Sequence, residues 1–474
     1  MPRTVFLFIA SLVLACSSVA PDDGDAGLAP DAASTQDAPS QNDGSTPADA
    51  AGDAPVTSNG LSIVTSFEGD VDEPGAGCNG ACAYRNHPDM GIAVNGTQVV
   101  EVSGQNLSVF DYSGKVLKQT AFGTFMTSMG LSVSTIADPR MTYDPFISKW
   151  IVVCSCSNDY VMVSDTSDAT GGWTGLALGV SSGDLTMWPG WDKNGVYVSE
   201  FQAGSAAPYP YAVVALDNSL QQKGVFKNFP YESRPAMDPN KNKKATDPEY
   251  FVARGGPTQN GTNVTFNVLV DAIQWNGATP KQLAQATVAS PYLYNTPVDV
   301  AQPSGPAVKA QESHRAFASV VENGHLHTVI GSGPQSGVDK NQLFFWFDID
   351  LSNMSLAQSA KVSSATEGYL FPSLAVDSMG NVAMIATSVG PSTNPSVVAF
   401  AHQTTDPSGF VSAPLVVAKG TSPFTCISTN PVGWGTYTNA FQDPSDPTKV
   451  WAVEEYSASS TDCQWHTRVV ELTP

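Results

Sequence analysis

Short runs rich in Val, Ile, Phe, Tyr and Trp alternate with clusters of Gly, Pro, Asn and Asp along most of the chain, and beyond the first sixteen residues no stretch sustains a helical period. That is the pattern of many short antiparallel strands joined by tight turns. One unit of it recurs. It reads "HPDMGIAVNGTQVVEV" from His87, "DPRMTYDPFISKWIVV" from Asp138, "WPGWDKNGVYVSEF" from Trp188 and "SRPAMDPNKNKKATDPEYFVAR" from Ser233. It returns as "HRAFASVVENGHLHTVI" from His314, "FPSLAVDSMGNVAMIATS" from Phe371 and "WGTYTNAFQDPSDPTKVWAVEEY" from Trp434. Each copy opens near an aromatic, His or Arg and gives a short strand. Most then show a turn of Asp, Asn, Pro or Gly and a second strand. Asn194-Gly195 and Asn323-Gly324 are strong hairpin signals, because both residue types tolerate positive φ. Seven copies at the spacing of a four-stranded sheet with variable loops predict an all-β fold, a seven-bladed β-propeller. The strands "LSIVTSF" (Leu61 to Phe67) and "HTRVVEL" (His466 to Leu472) are then expected to close the ring by sharing a blade.

The start of the chain adds an address. Arg3 precedes an apolar stretch from Val5 to Ala15, too short to span a bilayer and suited to an export signal. Val13-Leu14-Ala15-Cys16 resembles the lipobox of bacterial lipoproteins, which makes Cys16 the lipidation site; an ordinary signal peptide cleaved nearby is the alternative. With no aspartate directly after Cys16, that resemblance implies the outer membrane or cell surface of a Gram-negative bacterium. Residues 21–58 carry eight aspartates and no Lys or Arg. Such a segment cannot bury enough apolar surface to offset its ordering entropy, and reads as a disordered tether with a reach of roughly 35 Å. The expected layout is a signal peptide over 1–15, a tether over 16–59 and a propeller over 60–474.

A formal net charge of −22 argues against nucleic acid and anionic lipid as partners, leaving the lipid anchor as the contact with membrane. Six further cysteines, Cys78, Cys82, Cys154, Cys156, Cys426 and Cys463, point to disulfides in an exported chain, and allow fifteen pairings. Cys426 and Cys463 bracket one segment, Cys78 and Cys82 share a Gly-rich loop, and Cys154 and Cys156 share one face of a strand. A zinc site is the other reading of these cysteines, but no paired histidines follow them.

The pieces "HPDMGIAVNGTQVVEV", "LSVFDYSGKVL", "DPRMTYDPFISKWIVV", "VSDTSDATGGWTG", "FPSLAVDSMGNVA" and "WGTYTNAFQDPSDPTKVWAVEEY" together resemble a group of secreted bacterial β-propellers, sialidase-like or without an assigned activity. "SDTSDATGGWT" (Ser164 to Thr174) is similar to an Asp box, a structural hairpin on the outer part of a blade. The resemblance implies the fold and an extracytoplasmic life; fold alone implies no reaction. A sialidase-like activity, as an exo-acting glycoside hydrolase or lyase, would cast Tyr437 as nucleophile, Glu454 or Glu455 as its activator, and Asp138 or Asp144 as acid/base.

In a propeller, residues just ahead of the innermost strands converge near one mouth of the axis. Arg140, Arg234 and Arg315 come from three copies and form a candidate site for a carboxylate-bearing ligand, sialic acid included. Alternatively each arginine satisfies loop carbonyls and pairs with a nearby aspartate. Trp188 and Trp434, with Trp191, Tyr209, Tyr211 and Tyr437, are placed to stack on sugar rings or peptide side chains. Asp89, Asp138, Asp144, Asp238, Asp377 and Asp443 recur at the first hairpin, where Asp closes turns onto backbone N–H groups or binds structural calcium. His325 and His327 share one strand face, half of a metal site without an identifiable third ligand. No motif requires a cofactor. The function expected is a monomeric binding or scaffold module for a glycan or protein ligand, with the glycosidase as the alternative.

Overall fold

Turn chemistry at the innermost hairpins organises the molecule. The computed structural model describes residues 57–58, 60–71, 88–133, 138–156, 158–178, 187–201, 211–230, 232–256, 264–310, 315–335, 339–425, 433–435, 437–458 and 464–474. The export signal, Cys16 and nearly all of the tether lie outside the described residues, as do Cys78, Cys82, Cys426, Cys463, His87, Tyr209 and His314.

Seven antiparallel sheets follow one another along the chain. Blade 1 uses Gly91–Val94, Gln98–Val102, Asn106–Asp111 and Val116–Ala121, from the axis outwards. Blades 2, 3, 5 and 6 repeat the plan from the innermost strands Arg140–Asp144, Met187–Asp192, Ala316–Glu322 and Gly368–Val376. Blade 4 starts at Arg234–Pro235, and its long third strand, Val264–Asn276, pairs with two outer pieces, Thr279–Gln282 and Ala286–Tyr294. Blade 7 takes Asn439–Gln442, Val450–Ser457 and Trp465–Thr473 from the far end of the chain and Leu61–Val71 from near its start. Ser62 pairs with Thr473 and Phe67 with Val469, so the ring closes by the shared blade that the sequence leads one to expect. Each of the seven recurrent hairpins forms the two inner strands of one blade.

The two inner strands read as continuous apolar runs because blades stack face to face and bury both sides of them. Val382–Gly390 is buried along its whole length, whereas the outer strand Ser355–Val362 alternates between exposed and covered positions. Trp150, Trp346, Trp451 and Trp465 are among the largest fully buried side chains. A seven-residue helix, Phe122–Ser128, follows blade 1 and buries Phe122, Phe125 and Met126. Two turns of helix leave no period to read, so the sequence does not show it.

The innermost strands approach closely around blades 3, 4 and 5. Met237 bridges in parallel to Trp191 on one side and Val320 on the other. The Asp238 N–H donates to the Trp191 carbonyl and the Val321 N–H to the Met237 carbonyl, each at 3.0 Å. Gly190 permits this approach: a Cβ there would lie 2.5 Å from the Ala236 carbonyl oxygen and 2.5 Å from Pro235 Cβ. Backbone cannot yield as a flexible side chain can. Gly190→Ala is therefore expected to lower unfolding stability by about 1–3 kcal/mol, the usual cost of overpacking, measured by chemical denaturation.

Candidate functional site

The axis is occupied differently at its two ends. Where the innermost strands begin, Arg140, Arg234 and Arg315 do come together, from blades 2, 4 and 5. They form a ladder with Trp188 and Tyr437. The Arg234 guanidinium carbon lies 3.1 Å from the Trp188 ring centre, that of Arg140 lies 4.8 Å from Trp188 and 3.3 Å from Tyr437, and that of Arg315 lies 5.5 Å from Tyr437. Arg315 also donates to the Tyr437 hydroxyl and pairs with Glu232 at 2.5 Å. Arg140 donates to the carbonyls of Asp89 and Pro139 and sits 3.9 Å from Asp138, and Arg234 donates to the Ala316 carbonyl at 2.7 Å.

Arg140 and Arg234 are each only 1 % exposed, and Arg315 8 %. Burial pushes the Arg234 guanidinium down to about 9, and its two terminal nitrogens have no hydrogen-bond partner among the described residues. Aromatic faces take the place of water, each stacked cation gaining about 2 kcal/mol when desolvated. Convergence and the bracing of loop carbonyls are thus both present. An exposed arginine surface is not.

The remaining candidates are engaged in packing. Trp188 is buried in the ladder, and Trp434 packs edge-on against Phe424 and donates to Thr387 at 3.2 Å. Glu454 is fully buried; Thr387 donates to it at 2.5 Å, and Thr438 Oγ1 lies against its other oxygen. Burial pushes Glu454 up to about 8, and Glu455 rises well above the usual range through burial and the neighbouring charge of Glu454. Asp144 stands at the opposite end of its strand from Arg140 and closes its own turn, accepting from the Phe146 N–H at 2.8 Å. His325 pairs with Asp348 at 2.6 Å, while His327 stacks on Trp346 and is lowered to about 4 by burial. Among the described residues no group of three or more His, Cys, Asp or Glu is placed to hold a metal ion. Cys154 and Cys156 are joined to each other, their Cα atoms 5.4 Å apart. The Asp-box-like stretch is the turn between the third and outermost strands of blade 2, and Trp173 donates back to Ala169 at 3.0 Å.

The axis is open at the other end, where the innermost hairpins turn. A cavity of 580 Å³ lies there, with Met237, Trp191, Phe441 and Val320 on its walls and Asn240, Lys241, Asn323 and Pro447 exposed at its rim. Its floor is held by a chain of contacts: Trp191 Nε1 donates to Thr142 Oγ1 at 2.7 Å, and that hydroxyl faces the Met237 sulfur at 3.8 Å. Met237 separates this cavity from a much smaller one, of 40 Å³, beneath the arginine ladder. The recurrent Asp-Pro pairs shape the rim. Asp144, Asp238 and Asp443 cap their turns, which leaves Pro145, Pro239 and Pro444 lining the mouth.

Glu322 also lines this cavity and escapes notice in the sequence. One signal marks it. At the first turn position six blades carry Asn or Asp, as in "VNG", "YDP" and "VDS", and only "VENG" carries Glu.

No family model matches the chain, and no curated protein does. Among solved structures, the β-propeller domain of the Trilobed protease from Pyrococcus furiosus, described as having an open velcro topology, is similar at 9% identity, covering 85% of this chain and 94% of that one, with a TM-score of 0.40. A protein of unknown function from Dyadobacter fermentans DSM 18053 is similar at 11% identity, covering 88% and 99%, with a TM-score of 0.39. The Dos1 propeller is similar at 9% identity, covering 86% and 94%, with a TM-score of 0.38. The seven-bladed assignment rests on this chain's own sheet topology.

Proposed function

We propose that this chain is a lipid-anchored, extracytoplasmic binding module that holds a glycan or protein segment in the axial cavity at the hairpin-turn end. The cavity carries the reading. Its 580 Å³ falls in the range of small-molecule and side-chain sites, and it combines apolar and aromatic walls with an amide and carboxylate rim. The lipobox-like Cys16 and the acidic tether support an anchored module held clear of a membrane. Turnover is less well served. The Tyr437 hydroxyl accepts from Arg315, and Glu454 is engaged by Thr387 and Thr438, so the tyrosine and glutamate of a sialidase-like pair are committed to other partners.

A glycan and peptide array tests this with the wild-type chain and with Ser378→Trp, which places a large side chain in the cavity wall. Hits lost in Ser378→Trp, with the circular dichroism spectrum retained, are expected. Hits that bind both proteins equally, or no hit at all, overturn the cavity as the site. Palmitate labelling that is absent in Cys16→Ser is the expected sign of the anchor.

A further inference from the structure

We propose that the ligand of the axial cavity carries a cation, an ammonium on an apolar stem, and that Glu322 is the residue that pairs with it. This rests on the cavity being the binding site, and adds the chemistry of what enters.

The argument starts from seven equivalent positions. The residue that opens the innermost turn of each blade is Asn95, Asp144, Asp192, Asp238, Glu322, Asp377 or Asp443, in blade order. Six of the seven spend their side chain on their own hairpin. Asn95 accepts from the Gln98 N–H at 2.9 Å, Asp192 from Gly195 at 3.0 Å, Asp238 from Asn240 at 3.0 Å and Asp377 from Asn381 at 2.9 Å. Asp144 and Asp443 do the same in blades 2 and 7.

Blade 5 differs because its turn is Asn323-Gly324, with φ of 51° and 81°, the positive pair that makes a tight hairpin. That turn does not depend on a capping aspartate, and a glutamate with one more methylene stands in its place. The Glu322 carboxylate lines the cavity, where the Gln442 amide from blade 7 donates to it at 3.3 Å.

The surroundings favour a cation beside it. Burial pushes the Glu322 carboxyl up to about 7, and the buried Asp238 and Asp377 on the neighbouring blades 4 and 6 add to the rise against the opposing hydrogen bonds of the Gln442 amide and the Asn323 N–H. Of the nearby lysines, Lys243 is committed to Asp192, Asp238 and Glu249, and Lys241 is exposed at the rim. An ammonium placed against Glu322 would offset the loss of water and the nearby negative charge that raise it, while Trp191, Phe441 and Val320 would cover an aliphatic stem. Two sources present this chemistry, a lysine side chain of a protein and an amine on a small molecule.

Calorimetric titrations of the full chain at pH 8 decide the point. The probes are n-butylammonium, Nα-acetyl-lysine methylamide and glucosamine, with n-butanol and N-acetylglucosamine as neutral controls. At least one cationic probe is expected to bind ten-fold or more tightly than its neutral control. Glu322→Gln, which keeps the size of the side chain and a carbonyl for Gln442, should remove that ten-fold preference, and at pH 5.5 binding should weaken. Preference for the lysine derivative identifies a protein source, and preference for the other two a small-molecule one. Equal binding of cations and neutral controls, no binding of any cation, or a preference that survives Glu322→Gln overturns the proposal. A neutral array hit that Ser378→Trp abolishes would leave the cavity reading standing without this one, whereas hits indifferent to Ser378→Trp would remove both.

Discussion

Replacing Lys243 with methionine should cost the propeller about 3–5 kcal/mol, the loss expected when one partner of a buried charge network is removed. Lys243 is 3 % exposed, and its ammonium lies 2.9 Å from Asp192, 2.7 Å from Asp238 and 3.0 Å from Glu249. Its three N–H donors thus meet three carboxyl groups drawn from blades 3 and 4. Without the ammonium, those groups stay in a site water does not reach, and mutual repulsion opposes the packing of the two blades. Burial raises Glu249 well above the usual carboxylate range even with Lys243 present, and raises Asp238 too. Urea denaturation at pH 7 measures the loss. Adding Glu249→Gln to Lys243→Met should recover part of it, because one source of repulsion is gone. A loss below about 1 kcal/mol would show that the carboxyls are already solvated or neutral, outside the range set by buried pairs.

The second large effect is a fall in stability between about pH 4.5 and 8. Glu101 and Glu454 are fully buried, and burial raises both to about 8; Asp70 adds to the rise at Glu101. Their ordinary value is 4.5, so above it the unfolded chain releases a proton that the native state keeps. Each group's contribution is whole below 4.5, declines as pH rises, and is gone once pH passes the folded value. The slope is about 1.4 kcal/mol per pH unit per group inside that window. His327, lowered from 6.5 to about 4, acts in the opposite sense and removes stability as pH falls below 6.5.

Melting temperature should therefore peak in mildly acidic buffer and drop steadily from pH 6.5 to 8. Glu454→Gln should flatten part of that drop, and an unchanged slope in this variant would reject the assignment. Hydrogen bonding agrees with a neutral Glu454. Thr438 Oγ1 contacts both the Phe371 carbonyl, at 2.5 Å, and Glu454; one hydroxyl proton cannot serve both, and a protonated carboxyl supplies the second.

The blades are legible in the sequence because their turns use local chemistry. Asn323-Gly324 and the capping aspartates act within a few residues (at Asn194-Gly195 it is Asp192 that closes the turn, and neither residue takes positive φ), and an inner hairpin buried on both faces announces itself as two apolar runs. The meeting of Arg140, Arg234 and Arg315 is legible too, since each stands just ahead of or at the start of an innermost strand. What the sequence hides is the stacking on Trp188 and Tyr437 that buries them, because the rings come from blades 3 and 7. Lys243 is hidden for the same reason. In "DPNKNKKATDPE" three lysines look alike beside the local Asp238 and Glu249, and the third carboxyl that draws one of them inward, Asp192, comes from another blade.

The shared seventh blade sets the order in which this protein can be made. Leu61–Val71 is synthesised near the start, and its partner Trp465–Thr473 roughly 400 residues later. Loop-closure entropy grows only as the logarithm of that separation, so the span is affordable at equilibrium, but contacts of such long range form slowly. A chain interrupted before the last strand would leave Leu61–Val71 paired only with the two-residue strand Thr57–Ser58, cut off from the rest of its sheet, and an open edge on the second strand of blade 7, a template for pairing with other chains. Premature termination close to the C-terminus should therefore yield aggregate rather than a six-bladed remnant.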